Sequence, residues 1–224
     1  PDALLHRRVR AALFPDTPYG FESGGDPDDI PKLTQEQFIA FHQRYYHPSN
    51  SYIFLYGDLD IIDTLGFIND YLDEYDAIDS NSAIMRQRPF AGLVEKELEY
   101  PVSSTEKLQD KTFLSLCFVA GEATNPEHYL GLQILEHLLL ETPAAPLKQA
   151  LLEAGICKDA SGVLVESILQ PMIGVRISGS NPEQKDRFIK VVYQTLEKLV
   201  KEGIDKKLIE SSVNVFEFQL REAN

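Results

Sequence analysis

Residues 129–141 read YLGLQILEHLLLE, and seven of these thirteen positions are Leu or Ile. A run this apolar, interrupted at Gln133, Glu136 and His137, reads as a helix. The sequence around it sets the architecture. Pro126 sits where a first-turn proline is tolerated, so the helix opens there. Pro146 opens a second helix, LKQALLEAG, closed by Gly155. Strands are predicted at 94–102 and 112–120, and two more β-rich runs lie within 161–178, separated by Gln170-Pro171. A long amphipathic helix spans 181–203, with Phe188, Val192, Leu196 and Leu199 inward, and a last helix begins at Asp205. Strands that arrive in antiparallel-capable pairs, with helices grouped between them, predict an α+β fold with helices layered on a mixed or antiparallel sheet.

The polar residues of the opening run are one side chain short of a metal motif. In H-x-x-E-H, two imidazoles one helical turn apart bind zinc, and the Glu acts as general base for the metal-bound water. Here Gln133 stands at the first His position, followed by Glu136 and His137. Glu217, 80 residues beyond His137 on the last predicted helix, is the candidate third ligand. The competing reading is a polar cluster satisfied by hydrogen bonds between packed helices. It is favoured because a carboxamide oxygen is a poor zinc donor, so no metal ligand and no catalytic residue is assigned to the chain itself.

The first 75 residues read differently. Leu5, Val9 and Leu13 mark a short amphipathic helix that ends at Pro15, followed by an irregular Pro-, Gly- and Asp-rich excursion. Thr34 with Gln37 forms a capping box, with Phe38, Phe41 and Tyr45 as the expected buried stripe. Residues 51–56, SYIFLY, read as a buried strand, and Asp60 caps a helix with Ile61, Leu65, Ile68 and Leu72 inward. Periodicity disappears over 76–93, which is expected to be a linker.

Composition narrows the function classes. With 43% hydrophobic and 10% aromatic residues the chain is ordinary for a packed core. A formal charge of -14 opposes binding to nucleic acid and to anionic membrane surfaces. Cys117 and Cys157 form neither a C-x-x-C pair nor a disulfide framework, so a reducing, cytoplasmic setting is expected. The other polar clusters are weaker. His42 and His47 flank a helix end and read as a satisfied histidine and a C-terminal cap. Ser23-Gly24-Gly25-Asp26 lacks the lysine and spacing of a phosphate loop.

The segment PDTPYGFESGGDPDDIPKLTQEQFIAFHQRYYHPSNSYIFLYGDLD, residues 15–60, resembles the insulinase/pitrilysin group of zinc metallopeptidases, most closely its presequence-protease branch. PLKQALLEAGI, KEGID and FEFQLRE support the resemblance more loosely. It implies consecutive, related α+β domains. Residues 1–75 would be the C-terminal half of a first peptidase-like domain, 76–93 a linker, and 94–224 the N-terminal half of a second, catalytically degenerate one. Gln133, Glu136, His137 and Glu217 would then be a vestigial counterpart of a zinc site encoded upstream. The expected function is that of a non-catalytic interior piece of a zinc-dependent metalloendopeptidase acting on unstructured peptides, with zinc bound by the parent and none by this piece. The alternative is a piece of a non-catalytic structural or partner subunit of the same fold family.

Overall fold

The computed structural model describes residues 1–223, which divide into two compact units. One comprises Pro1–Phe21 with residues 86–223, and the other Glu22–Met85. This is a division by packing. The expected halves 1–75 and 94–224 follow from the resemblance instead, and they return below as a proposal.

The larger unit is built on a three-stranded antiparallel sheet in the order β1-β3-β2, with β1 at Thr112–Val119, β2 at Asp159–Val165 and β3 at Met172–Ser180. Side-chain alternation gives the sheet two apolar faces. Leu116, Ala160, Val175 and Ile177 point to one layer, where they meet Leu138 to Leu140, Leu147 and Leu151, and Phe188 and Val192. Those residues belong to the run 137–141, to α5 (Pro146–Glu153) and to α6 (Lys185–Glu202). Cys117, Val119, Val163, Val165 and Met172 face the opposite layer, where α1 (Asp2–Leu13) supplies Val9 and Leu13 and is followed by the fully buried Phe14. An Arg176–Asp2 ion pair at 2.8 Å ties the start of α1 to the central strand. The helix-layered α+β class read from the sequence is the class observed.

Gly174 on β3 is required by packing. A Cβ there would lie 2.4 Å from the Leu116 carbonyl oxygen and 2.7 Å from Cys117 Cα, both backbone atoms of the paired strand. Gly155, with φ +64°, follows α5 in the left-handed conformation that terminal glycines supply.

The smaller unit contains α2 (Gln35–Tyr45) and α3 (Ile61–Leu72). Both helices start where the sequence says they should. Thr34 N–H donates to Gln37 at 2.9 Å while Gln37 N–H donates to Thr34 Oγ1 at 3.2 Å, and Asp60 accepts from the amides of Ile62 and Asp63. Their apolar residues are not inward, however. Phe38 and Phe41 on α2, and Ile61 and Leu65 on α3, are exposed, and neither helix has a buried residue.

Two expected strands are also missing from the described residues: 51–56 and 94–102 belong to no sheet. The physical reason is common to both. An apolar, β-rich sequence becomes a strand only when another strand's edge takes its hydrogen bonds, and periodicity carries no information about where that partner is. Residues 94–102 are held by side chains instead, through a Glu95–Lys185 ion pair at 2.9 Å and a hydrogen bond from the Tyr100 hydroxyl to the Lys111 carbonyl.

Candidate functional site

The helix that carries the sequence cluster, α4 (Pro126–Glu136), is fixed at its start by Asn125, whose side chain accepts from the amides of Glu127 and His128 at 3.0 and 3.1 Å. Proline at the first position gives up no hydrogen bond, because that amide has no partner within the helix. At its end α4 passes without a break into a π-helical turn, His137–Glu141, in which the Thr142 amide reaches back five residues to the His137 carbonyl at 3.3 Å. Leu138, Leu139 and Leu140 are all buried there. Three successive buried side chains need cover from several directions, and strand, helix and turn provide it.

Gln133 and His137 lie one α-helical turn apart, but they are engaged by different neighbours. Gln133 Nε2 donates to Glu166 Oε1 at 3.4 Å, just beyond the end of β2. His137 Nδ1 shares a 3.2 Å hydrogen bond with the hydroxyl of Ser212 on α7 (Lys206–Glu222), and the imidazole stands edge-on to Phe216 at 5.6 Å. Glu217 turns instead to Arg221, its i+4 neighbour, in an ion pair that is more than half exposed. The sequence had placed these four residues in one cluster. In the structure Gln133 turns to Glu166, His137 to Ser212, Glu217 to Arg221 and Glu136 to Glu141.

Glu136 is the chemically unusual member. Its carboxyl packs against β2 at Gly162, where an added Cβ would sit 1.5 Å from Oε1. The Glu141 carboxylate accepts the Gly162 amide at 3.2 Å. Burial is the main influence on Glu136. Together with the charge of Glu141, a hydrogen bond shared with it and the charge of Glu166, it pushes the Glu136 pKa up to about 7. Protonation lets one carboxyl donate to the other, which relieves the repulsion between the two neighbouring carboxylates. Glu141, Glu166 and Ser212 were not singled out in the sequence. Glu141 lies five residues after Glu136, a spacing that a regular α-helix does not bring together.

This donor set does not fit zinc. A tetrahedral site needs three or four N, S or carboxylate donors converging on one point. Here the imidazole is turned to Ser212, the first ligand position carries an amide, and the distant carboxylate is paired with arginine. Among the described residues no group of three His, Cys, Asp or Glu side chains is arranged to hold a metal ion. Burial is the main cause that pushes both Cys117 and Cys157 up from the usual thiol range.

The large concavity lies elsewhere in this unit. A groove of about 770 Å³ runs between α1, residues 87–98, β1 and α6, lined by Leu5, Val9, Leu98, Phe113, Phe118 and Tyr193 among others. None of Gln133, Glu136, His137 and Glu217 reaches it. No helix among the described residues is long and apolar enough to cross a membrane.

Known proteins match this geometry and sequence. Residues 32–216 match the family described as Peptidase M16 inactive domain. Over its whole length the chain is similar to protein HypA of Clostridium perfringens, at 45% identity over 225 residues and 23% of that protein. It is also similar to presequence protease 1, chloroplastic/mitochondrial, of Arabidopsis thaliana, at 40% identity over 228 residues and 21% of that protein. The chain therefore spans between a fifth and a quarter of these relatives. A solved peptidase M16 inactive domain from Pseudomonas fluorescens shares the fold with a TM-score of 0.66 and 17% identity, covering 99% of this chain and 52% of that one.

Proposed function

The chain belongs to the peptidase M16 family, in the part described as its inactive domain, and from that premise we propose that it is a non-catalytic scaffold within a longer zinc metalloendopeptidase that degrades unstructured peptides. Residues 1–75 are read as the end of a first peptidase-like domain, 76–93 as the connection, and 94–224 as the start of a second. The observation that carries this reading is the separation of the near-motif. Gln133, His137 and Glu217 are each engaged by a different partner. Zinc, the general base and the peptide substrate belong, on this reading, to parts of the longer protein outside residues 1–224, in a cytoplasmic setting. When bound there, zinc supplies an activated water for attack on a peptide carbonyl. The residues of this chain hold helices and sheet in place and touch no reacting atom.

The test compares the 224-residue chain with the natural longer polypeptide, using a fluorogenic unstructured peptide and metal analysis. The chain alone is expected to show neither cleavage nor stoichiometric zinc. The longer polypeptide is expected to show both, and to keep both in a His137→Ala variant. Cleavage by the chain alone, or loss of zinc from the longer polypeptide on His137→Ala, overturns the reading. A longer polypeptide with neither zinc nor cleavage identifies a non-catalytic subunit of the same fold instead.

A further inference from the structure

In the order β1-β3-β2, β2 is an outer strand, so one of its edges pairs with no strand among the described residues. An open edge is a row of free amides and carbonyls ready to take another strand. At Gly162 this edge is closed by side chains. The Glu141 carboxylate accepts the Gly162 amide at 3.2 Å, and the Glu136 carboxyl lies over the Gly162 Cα, where a Cβ would stand 1.5 Å from Oε1 and 2.5 Å from Cδ. Only glycine leaves room for it.

The two acids meet because of the turn that follows α4. In an α-helix, residues five apart point about 140° away from one another. The π-helical turn His137–Glu141 brings Glu141 round to the side of Glu136, and the two carboxyls share a hydrogen bond. An ionised carboxylate can only accept, so that bond exists only while one of the pair holds a proton. Glu136, half-buried where Glu141 is exposed, is the one that holds it.

Among the described residues no cation takes the proton's place. Besides Glu141, the charge acting on Glu136 is that of Glu166, just beyond β2, which accepts from Gln133 Nε2 at 3.4 Å. From α5, Lys148 pairs with Asp159 at the start of β2 at 3.4 Å. From β3, Arg176 reaches Asp2 and Ser161. α7 presents Ser212 and Phe216, which meet His137. Burial first, and then these acidic neighbours, push the Glu136 pKa up to about 7.

We propose that Glu136 and Glu141 form a proton-operated latch on the free edge of β2. With one proton between them the carboxyls close over Gly162 and hold its outward amide. Without it two carboxylates repel beside Glu166, part, and release that edge. The latch is closed below about pH 7 and opens as the pH rises through that value. All its residues lie in the larger unit, so it stands whether or not the longer protein cleaves peptides.

Hydrogen exchange of the natural polypeptide containing residues 1–224 tests the latch. The readout is the protection of the Gly162 amide, referenced at each pH to an unstructured peptide and resolved by electron-transfer fragmentation. Protection is expected to fall about 10-fold or more from about pH 6 to about pH 8, while the amides of β3, held between two strands, keep theirs. Glu136→Gln and Glu141→Gln each replace one carboxyl by a neutral group that both donates and accepts, so each should keep Gly162 protected at both pH values. Protection that does not change with pH in the natural protein overturns the proposal. So does a fall that persists in either variant, and if one variant fails to fold the other decides. A fall shared by the β3 amides also overturns it, because it reports unfolding of the sheet and not release of its edge.

Discussion

The imidazole of His137 and the hydroxyl of Ser212 share a hydrogen bond of 3.2 Å, and Ser212 is fully buried. The contact joins the end of α4 to α7 across 75 residues of sequence. With Nδ1 engaged by Ser212 and the ring edge-on to Phe216, the side chain acts as a pin between helices.

Removing the pin has a measurable cost. Ser212→Ala should lower the stability of the larger unit by about 1 kcal/mol, the usual net value of one hydrogen bond. The His137→Ala, Ser212→Ala double variant should fall short of the sum of the singles. Exchange protection of the β3 amides in denaturant reads both. Additive losses would place the two residues in independent environments.

Glu136 makes stability depend on pH in an unusual direction for a carboxylate. Its folded pKa is raised from 4.5 to about 7, so the folded chain holds the proton more tightly than the unfolded one. The protonated form's contribution is complete below about pH 4.5 and is lost as pH rises through about 7. Because the group is only part-buried, solvent screening reduces the effect to roughly 1 kcal/mol. Glu136→Gln, which stays neutral, should therefore be more stable than the natural chain at pH 8 and no more stable at pH 4.5. Denaturant titrations at the two pH values check this, and an equal gain at both would remove Glu136 as the cause.

Two glycines of the sheet should respond differently to alanine. At Gly174 the added methyl meets backbone atoms of β1 at 2.4 and 2.7 Å, and the paired strands have nowhere to go. Gly174→Ala should cost about 3 kcal/mol or more. At Gly162 the obstacle is the flexible end of Glu136, 1.5 Å away, so Gly162→Ala should cost about 1 kcal/mol. Combining Gly162→Ala with Glu136→Ala should recover that loss. Thermal unfolding of the four proteins tests the ranking.

Burial also predicts a contrast between aromatic residues. Phe188 is 1% exposed within the main core, and Phe188→Ala should remove about 3–5 kcal/mol from the larger unit. Phe54→Ala in the same 224-residue chain should stay within about 0.5 kcal/mol, since Phe54 contacts water. Chemical denaturation followed by far-ultraviolet circular dichroism separates the two.

What the sequence revealed was whatever its local chemistry determines. Thr34 with Gln37, Asp60, Asn125 and Pro126 start helices because each satisfies or avoids a free amide by itself. The three sheet strands and α6 were legible because each finds its partner within the described residues, β3 between β1 and β2 and α6 against the sheet. Residues 51–56 and 94–102 carried the same β signal without a strand to pair with. Phe38 and Phe41 carried the helical stripe without a core to meet.

The candidate site was legible as a helix and a set of side chains, and illegible as a set of contacts. Spacing puts Gln133 and His137 on one face, but nothing local says that Glu166 takes one and Ser212 the other. The Glu136–Glu141 pair was hidden for a different reason. Its five-residue spacing comes together through the turn that follows α4, and that turn has no sequence signature among so many leucines.

That π-helical turn bears on how the chain is set against its relatives. It accommodates one residue more than an α-helical turn of the same height, so it acts as a one-residue insertion within an unbroken helix. An alignment that pairs this helix without a gap to an uninterrupted one holds its phase through Glu136 and His137. It then places each side chain from Leu138 to Glu141 one position out of step. Correspondences drawn there by counting residues join faces that do not coincide, and only an alignment by direction around the helix axis restores them.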